Sequence, residues 1–242
     1  MWQFPFVMSY NHTMRYPNIT IAKFIDRPNR FIAHVQIGDS VETVHVKNTG
    51  RCRELLIPGV DVALVKSDNP SRKTLFDLVA VRKESLGWIN IDSQAPNVVV
   101  KEWLECGHSA FAAKPYNGIS FLKPEFKYGS SRIDFYLECS GGQKVLMEVK
   151  GCTLEIDGKG YFPDAPTERG VRHLNELAAA CDEGYDCYLA FVIAMPDIDH
   201  VYPNIETHPE FGEALRVAEA AGVKVLHLQC NVSSDELVIN ML

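Results

Sequence analysis

Residues 132–150 read RIDFYLECSGGQKVLMEVK, and this stretch decides the fold. Two largely apolar runs, residues 132–137 and 145–150, are separated by a Ser-Gly-Gly segment that is typical of a hairpin turn. The first run carries Asp134, and the second carries Glu148 and Lys150. Because strand side chains alternate with a period of two, Glu148 and Lys150 share one face while Val149 faces the opposite layer. The stretch therefore predicts a hairpin with charged groups on a central strand.

The register of this hairpin decides whether the two carboxylates meet. Asp134 lies opposite Glu148 only if the numbers of paired residues add up to 282. That register needs an odd loop, such as residues 140–142 with a glycine in the left-handed conformation. A two-residue Gly-Gly loop would place the carboxylates on opposite faces.

Two neighbouring carboxylates beside an ammonium group suit a hard divalent cation such as Mg²⁺ or Mn²⁺. Such a cation assists phosphodiester hydrolysis, and Lys150 would orient the attacking water or stabilise the transition state. Asp134, Glu148 and Lys150 are thus the predicted catalytic residues, and Asp134 and Glu148 the predicted metal ligands. The pattern resembles the PD-(D/E)XK nuclease core. A Glu-x-Lys triplet alone is also typical of a surface salt bridge, but the apolar residues 145–147 before it indicate a buried strand.

The sequence predicts a helix over residues 167–181, with Thr167 as its N-cap. Arg169, His173 and Glu176 share one stripe of this helix, from which Arg169 and His173 would reach phosphates beside the site. The alternative is a solvated face with a Glu-His pair. Just before the helix, Asp164 is expected to cap it or to be a carboxylate near the metal.

The remaining pattern divides the chain into two domains. Residues 19–91 consist of short alternating runs bounded by Gly, Pro, Asn or Asp, which predicts a five-stranded OB-type barrel. After residue 96 the order is helix, strand, strand, helix, strand, helix, strand, which predicts an α/β layer with a mixed central sheet. The expected class is α+β overall. The expected domains are residues 1–91, with residues 1–15 as an extended lead-in, and residues 92–242.

Composition allows a nucleic-acid partner despite a formal net charge of −7. Residues 1–84 hold 12 Lys and Arg against 8 Asp and Glu, whereas residues 175–242 hold 2 against 12. The predicted nucleic-acid-binding cations lie in the first domain: Arg27, Arg30, Lys47, Arg51, Arg53, Arg72 and Lys73. Phe31, Phe76 and Trp88 are available for base stacking, although Phe31 and Phe76 are expected in the core.

The rest of the composition predicts a cytoplasmic protein. Seven cysteines are an odd number without a C-x-x-C pair, which indicates reduced thiols rather than a disulfide framework or a zinc ribbon. No apolar run reaches the roughly 18–20 residues needed to span a bilayer. The apolar N-terminus lacks a preceding basic region and contains Pro5, so it does not read as a signal peptide.

Several strings together resemble the sugar fermentation stimulation protein family over nearly the whole chain. They are RPNRF (27–31), His45 with NTGR (48–51), RKT (72–74), Glu125 with KYG (127–129), SRIDF (131–135), EVK (148–150), and FPDAPTERG (162–170) with His173. The resemblance implies an OB-like domain followed by a restriction-endonuclease-like PD-(D/E)XK domain. It also implies a bacterial cytoplasmic location, DNA binding and a link to the use of sugars such as maltose.

These residues are consistent with three alternative functions. The first is a metal-dependent nuclease acting on DNA or RNA, in which Arg169, His173, Asp164, Arg132 and Glu125 support the catalytic residues. The second is a DNA-binding regulator of sugar metabolism that keeps the nuclease fold without cleaving, and single strands are a further candidate ligand for both. The third, a glycosidase using Asp134 and Glu148, is disfavoured because Lys150 beside Glu148 suits phosphate better than an oxocarbenium ion.

Overall fold

The computed structural model describes residues 14–48, 50–69, 71–106 and 118–240. Most of the predicted lead-in over residues 1–15 lies outside the described residues. Its last two residues form strand β1 (Met14–Arg15), which pairs with the chain's last strand in the sheet of the second domain. Among the described residues, no helix combines the length and apolarity that a bilayer crossing requires.

The first domain is the predicted OB-like barrel. Its strands are β2 (Ile19–Asn29), β3 (Ile32–Ile37), β4 (Ser40–Val46), β5 (Asp61–Lys66), β6 (Phe76–Lys83) and β7 (Gly87–Asn90). The strand order is β4-β3-β2-β5-β6-β7, and a parallel pairing of β4 with β6 closes five of these strands into a barrel. Alternate residues such as Val35, Val44 and Val62 fill its interior and are fully buried.

The second domain is built on a seven-stranded mixed sheet. Its elements are α1 (Ala95–Glu105), β8 (Ile119–Tyr128), β9 (Ser131–Cys139), β10 (Lys144–Cys152), β11 (Leu154–Ile156), β12 (Lys159–Phe162), α2 (Glu168–Asp182), β13 (Asp186–Ile193), β14 (Val201–Pro203), α3 (Pro209–Ala220), β15 (Lys224–Val232) and β16 (Glu236–Ile239). The sheet order is β1-β16-β15-β13-β10-β9-β8, with β10, β13 and β15 parallel and the other pairs antiparallel. Strands β11, β12 and β14 form a separate small sheet. The predicted α/β class with a mixed sheet is confirmed.

Strand β10 lies at the centre of this domain because both of its faces are covered. Met147 and Val149 belong to the hydrophobic cluster that contains α1. Leu146 belongs to the cluster that contains residues of α2 and α3. A strand buried on both faces reads as a continuous apolar run, which is what residues 145–147 show. The charged residues that follow are therefore carried into the interior.

Several strands of the second domain differ from the prediction. The sequence pattern did not indicate β8, β11, β12, β14 or β16. In β8 the alternation is interrupted by Pro124, and Glu125 has a positive φ of 52°. Proline is tolerated there because β8 is an edge strand of the sheet. Strands β11, β12, β14 and β16 are three or four residues long, too short for a clear period-two pattern.

The two domains share one continuous hydrophobic cluster, which includes Ile91 of the first and Met195 of the second. Polar contacts reinforce the junction. The Asn90 N–H donates to the Ala194 carbonyl at 2.9 Å, and Lys83 of β6 forms an ion pair with Glu155 of β11. A cleft of about 360 Å³ remains between the domains. Its lining includes Pro96 and Gly151, the chain neighbours of Asn97 and Lys150.

Candidate active site on the central strand

The hairpin of β9 and β10 has the register that the meeting of the two carboxylates requires. Glu138 pairs with Lys144, and Phe135 pairs with Met147. The Cys139 N–H donates to the Gln143 carbonyl at 2.9 Å, which leaves the three-residue loop 140–142. Gly142 in this loop has a φ of +85°. The odd loop is therefore confirmed and the two-residue loop is excluded.

Asp134 lies where β9 separates from β10. The ladder ends at Phe135 and Met147, and the Asp134 side chain takes up the next free donor of β10. Its Oδ2 accepts the Val149 N–H at 2.7 Å, and its Oδ1 accepts from Asn97 Nδ2 of α1 at 2.8 Å. The two carboxylates are therefore held by partners from different elements, and not in the same way as expected for two neighbours on one face. Asp134 is anchored by α1, whereas Glu148 is anchored by α2 from the other layer.

Glu148 is the most enclosed charged group of the site, with 1% of its surface exposed. Its Oε1 accepts from His173 Nδ1 and from Lys150 Nζ. Its Oε2 is buried and has no hydrogen-bond partner in the described structure. The contact between Lys150 and Glu148 confirms that both side chains leave the same face of β10. One carboxylate oxygen is therefore fixed by two donors while the other remains available.

The tautomer of His173 follows from its second neighbour. Arg169 Nε donates to His173 Nε2 at 3.3 Å. Because an arginine can only donate, Nε2 must be the acceptor and the ring proton must lie on Nδ1. His173 thus donates from Nδ1 to Glu148. The two consecutive hydrogen bonds, from Arg169 to His173 and from His173 to Glu148, hold the Glu148 carboxylate in one orientation.

Burial and charge act differently on the two carboxylates. Burial, followed by the negative charge of Glu148, raises the pKa of Asp134 to about 6, against the partial opposition of Lys150. Burial also pushes the pKa of Glu148 upward, but the hydrogen bond from His173 and the charge of Lys150 outweigh it and bring this pKa below its ordinary value. Two adjacent carboxyl groups with pKa values pushed apart are typical of catalytic sites.

The residues predicted to support catalysis differ in their exposure and in their contacts with the site. Arg169 is exposed beside the site, but His173 is only 1% exposed, so its predicted place at a phosphate-facing edge is wrong. The Glu-His surface pair is also wrong, because Glu176 accepts from the Ser130 hydroxyl at 2.7 Å. Arg132 and Glu125 are exposed, their charged groups lie 3.9 Å apart, and neither hydrogen-bonds to Glu148.

Asp164 has a different role from helix capping. Thr167 Oγ1 accepts the Gly170 N–H at 3.1 Å, as the N-cap prediction requires. Asp164 instead accepts the Arg51 N–H of the first domain at 3.1 Å. A Cβ on Gly50 would lie 2.6 Å from Asp164 Oδ2 and 2.8 Å from Asn48 Oδ1, so a larger residue there would have to displace these side chains. Asp164 therefore joins the domains.

The described residues contain no group of three or more His, Cys, Asp or Glu side chains placed to hold a metal ion. Asp134 and Glu148 are the two carboxylates that the site offers. Each carboxylate can accept at several lone-pair positions, so the bonds to Val149 and Asn97 leave room for a further contact on Asp134. The unpartnered Oε2 of Glu148 is the observation that fits a cation.

The seven predicted nucleic-acid-binding cations divide into two groups. Lys47 forms an ion pair with Asp92 at 2.8 Å, Arg72 is held by both oxygens of Asp77, and Arg27 donates to four backbone carbonyls. These three have structural partners. The exposed side chains of the other four form no ion pair with any described carboxylate: Arg30, Arg51, Arg53 and Lys73.

The aromatic residues of the first domain also divide. Phe31 was expected in the core, and this is wrong, because 47% of its surface is exposed. It lies in the turn between β2 and β3, where the alternation of a strand does not apply. Phe76 packs against the main cluster, and Trp88 packs against a small cluster of Ala63, Val79 and Ala80.

Sequence reasoning missed Asn97, which contacts Asp134. A polar residue in the first turn of a helix reads as a solvent-facing position, and only the tertiary packing of α1 against the hairpin reveals its partner. Pro96 indicates where the helix begins, but it does not indicate that Asn97 contacts Asp134.

Comparison with known proteins supports the fold and the family. Residues 25–91 match the model of the SfsA N-terminal OB domain, and residues 94–236 match the model of the sugar fermentation stimulation protein RE domain. The chain belongs to the sugar fermentation stimulation protein family. A homolog from Ruminiclostridium cellulolyticum is 53% identical over 93% of this chain and 96% of its own length. One from Desulfitobacterium hafniense is 51% identical over 93% and 94%.

A solved family member is also similar in structure. Pyrococcus furiosus SfsA in complex with Ca²⁺ has a TM-score of 0.80 and 26% identity, covering 95% of this chain and 96% of that one. The resemblance read from the sequence is thus confirmed at the level of the family and of its two-part fold.

Proposed function

We propose that this protein is a nuclease that uses a divalent metal ion to hydrolyse phosphodiester bonds of DNA, with Asp134, Glu148 and Lys150 as its catalytic residues. The observation that carries the proposal is the state of Glu148. One of its oxygens is held by His173 and Lys150, and the other is buried without a partner. A buried carboxylate oxygen without a partner is costly, and a cation at this position would remove that cost.

Asp134 and Glu148 would hold Mg²⁺ or Mn²⁺. Magnesium keeps several of its waters and is commonly bound through one or two carboxylates, so the site needs no further acidic residue. When bound, the ion supplies an activated water and neutralises charge that develops on the phosphate. The Ca²⁺ in the P. furiosus relative supports a cation in this family without naming the one used here.

The residues of the chain position the reacting groups. The Lys150 side chain is 16% exposed and its ammonium contacts Glu148, from where it would orient the attacking water and stabilise the negative phosphate in the transition state. His173 keeps Glu148 oriented, and Arg169 is exposed next to His173, where it would contact a flanking phosphate. The interdomain cleft, which borders Pro96 and Gly151, would receive the substrate beside these groups.

A second candidate is a DNA-binding regulator of sugar metabolism genes, maltose genes among them, that does not cleave. It is favoured by the lack of a preassembled group of three metal-ligating side chains in the described residues and by the direct ion pair between Lys150 and Glu148. Both candidates share DNA binding, with RNA as a further substrate for the nuclease. They differ only in whether the bound nucleic acid is cleaved.

Cleavage assays separate the two candidates. Labelled double-stranded DNA, single-stranded DNA and RNA are incubated with the protein in Mg²⁺, in Mn²⁺ and in EDTA. If the protein is a nuclease, cleavage products should appear only in the samples that contain a metal ion. Glu148→Gln and Lys150→Met should then lose cleavage and retain binding. Glu138→Gln and Lys144→Met, exposed positions on the same two strands, serve as matched controls that keep activity. Binding without cleavage of any substrate by the wild-type protein would support the regulator.

A further inference from the structure

A small recess on the surface of the first domain combines positive charge with an exposed aromatic ring. It has a volume of about 270 Å³ and is lined, beside Arg27, by Asn29, Arg30, Gly50, Arg51, Arg53 and Leu56. We call it the arginine recess. Phe31 adjoins it, with the guanidinium carbon of Arg30 5.2 Å from the centre of its ring.

One half-buried arginine, Arg27, fixes the two walls of the arginine recess. Arg27 donates to the carbonyls of Arg30 and Asn48 at 2.7 Å each, and to those of Gly50 and Arg51 at 2.9 and 2.8 Å. A single planar guanidinium therefore ties the β2–β3 turn to the loop that follows β4. The backbone of the recess is prebuilt and does not depend on a ligand for its shape.

The charges of the arginine recess are available for a ligand. Arg30, Arg51 and Arg53 are exposed, and no carboxylate in the described parts of the chain forms an ion pair with them. This contrasts with Arg72 of the same domain, which Asp77 neutralises at 2.6 and 2.9 Å. Guanidinium groups favour phosphate because their planar donors match its oxygens. The recess is thus suited to a phosphodiester backbone.

Phe31 presents an exposed ring on a fixed backbone. Nearly half of its surface is open to solvent, while its backbone is fixed by an N–H bond to Asn29 Oδ1 at 2.9 Å and by the bond from Val46 N–H to its carbonyl at 2.8 Å. An aromatic face binds a base by stacking, which requires a base whose own face is exposed. Inside a duplex the neighbouring pairs cover both faces. An exposed ring beside a phosphate site therefore favours an unpaired nucleotide.

We propose that the arginine recess and Phe31 bind an unpaired segment of DNA, with the guanidinium groups of Arg30, Arg51 and Arg53 on its phosphates and a base stacked on Phe31. This inference rests on the proposed nuclease function and specifies its substrate. Gly50 lines both the recess and the interdomain cleft. A strand held in the recess can therefore continue past Gly50 into the cleft, whose lining includes Gly151, the chain neighbour of Lys150.

The test measures binding without cleavage. Anisotropy of a fluorescent oligothymidine and of a duplex of equal length is recorded in EDTA at several salt concentrations. Phe31→Ala should weaken binding of the single strand about five- to hundredfold, the range of one lost base–aromatic stack, and leave the duplex unchanged. Phe31→Tyr should restore it. Phe121→Ala, which removes an aromatic side chain of equal exposure on β8, is the matched control.

The phosphate contacts are tested by the salt dependence. Arg30→Ala combined with Arg53→Ala should reduce the slope of log affinity against log salt for the single strand by about 1.4, because each lost contact contributes ~0.7. Lys66→Ala with Lys144→Ala is the charge-matched control and should keep the slope. Equal single-strand affinity in wild type and Phe31→Ala, or equal losses for both DNA forms, would overturn the proposal. Since EDTA prevents metal-dependent cleavage, these outcomes are independent of whether the nuclease proposal holds.

Discussion

Replacement of His173 tests the positioning of Glu148 with two variants of nearly equal size. An asparagine places its amide nitrogen close to the position of Nδ1, so His173→Asn keeps the donor to Glu148 Oε1. A glutamine extends its amide toward the position of Nε2, so His173→Gln removes that donor while keeping a polar side chain. The pair separates the hydrogen bond from the mere presence of a side chain at this buried position.

The magnitude follows from the two donors that Glu148 Oε1 accepts, His173 and Lys150. A hydrogen bond to a charged group is worth ~1.5–3 kcal/mol, which corresponds to about ten- to hundredfold in an equilibrium constant. We therefore expect His173→Gln to weaken Mn²⁺ binding by about ten- to hundredfold, a range typical of groups that orient metal ligands. His173→Asn should lie much closer to the wild type.

Mn²⁺ binding is measured by calorimetry and by electron paramagnetic resonance of the free ion, so the result does not depend on activity. Thermal melts in EDTA establish that both variants are folded. Equal Mn²⁺ affinity for the glutamine variant and the wild-type protein would refute the reasoning that His173 orients Glu148.

Three further predictions concern the supporting structure. Arg27→Lys loses the planar fork that reaches four carbonyl oxygens, and urea titration should show a loss of about 1–3 kcal/mol in the free energy of unfolding; an unchanged midpoint would contradict the bridging role. Thr167→Ala should cost about 1 kcal/mol, whereas Thr167→Ser, which keeps the capping oxygen, should cost little. Burial and then the charge of His200 lower the pKa of His227 to about 4 from 6.5, so between these values the unfolded chain binds a proton that the folded chain does not. Stability should therefore fall as the pH drops from 6.5 toward 4, and His227→Gln should reduce that loss in urea melts at successive pH values.

The sequence predicted those features that depend on local pattern. Alternating runs predicted the barrel strands, and the Ser-Gly-Gly segment predicted the hairpin. The pattern left a three-residue and a two-residue loop as alternatives, and the structure has the three-residue loop. Thr167 was recognisable as a helix cap because its partner, Gly170, is three residues away. The features that were missed depend on tertiary packing: Asn97 reaches Asp134 from another element, and Asp164 reaches across to Arg51. Neither contact has a signature in the residues near it.

The exposure of individual arginine and histidine side chains also depends on tertiary packing and could not be predicted from the sequence. Arg27, near the end of β2, and Arg30, in the turn that follows, are three residues apart, yet Arg27 donates to four backbone carbonyls and Arg30 is exposed. His173 shares a helical stripe with Arg169, but the packing of α2 on β10 buries the histidine and leaves the arginine at the surface. The sequence spacing predicts which residues share one face of the helix. Which of them are buried depends on how the helix packs against the neighbouring strand.

The central claim is that Asp134 and Glu148 hold one divalent cation between them. A crystal soaked in Mn²⁺ and measured for anomalous scattering tests this most directly. The account predicts a peak at about 2.1 Å from Glu148 Oε2 and from an Asp134 oxygen, the spacing expected for a small hard cation. A map without a peak there, with the Lys150 ammonium still bound to Glu148 and both carboxylates unchanged, would contradict it.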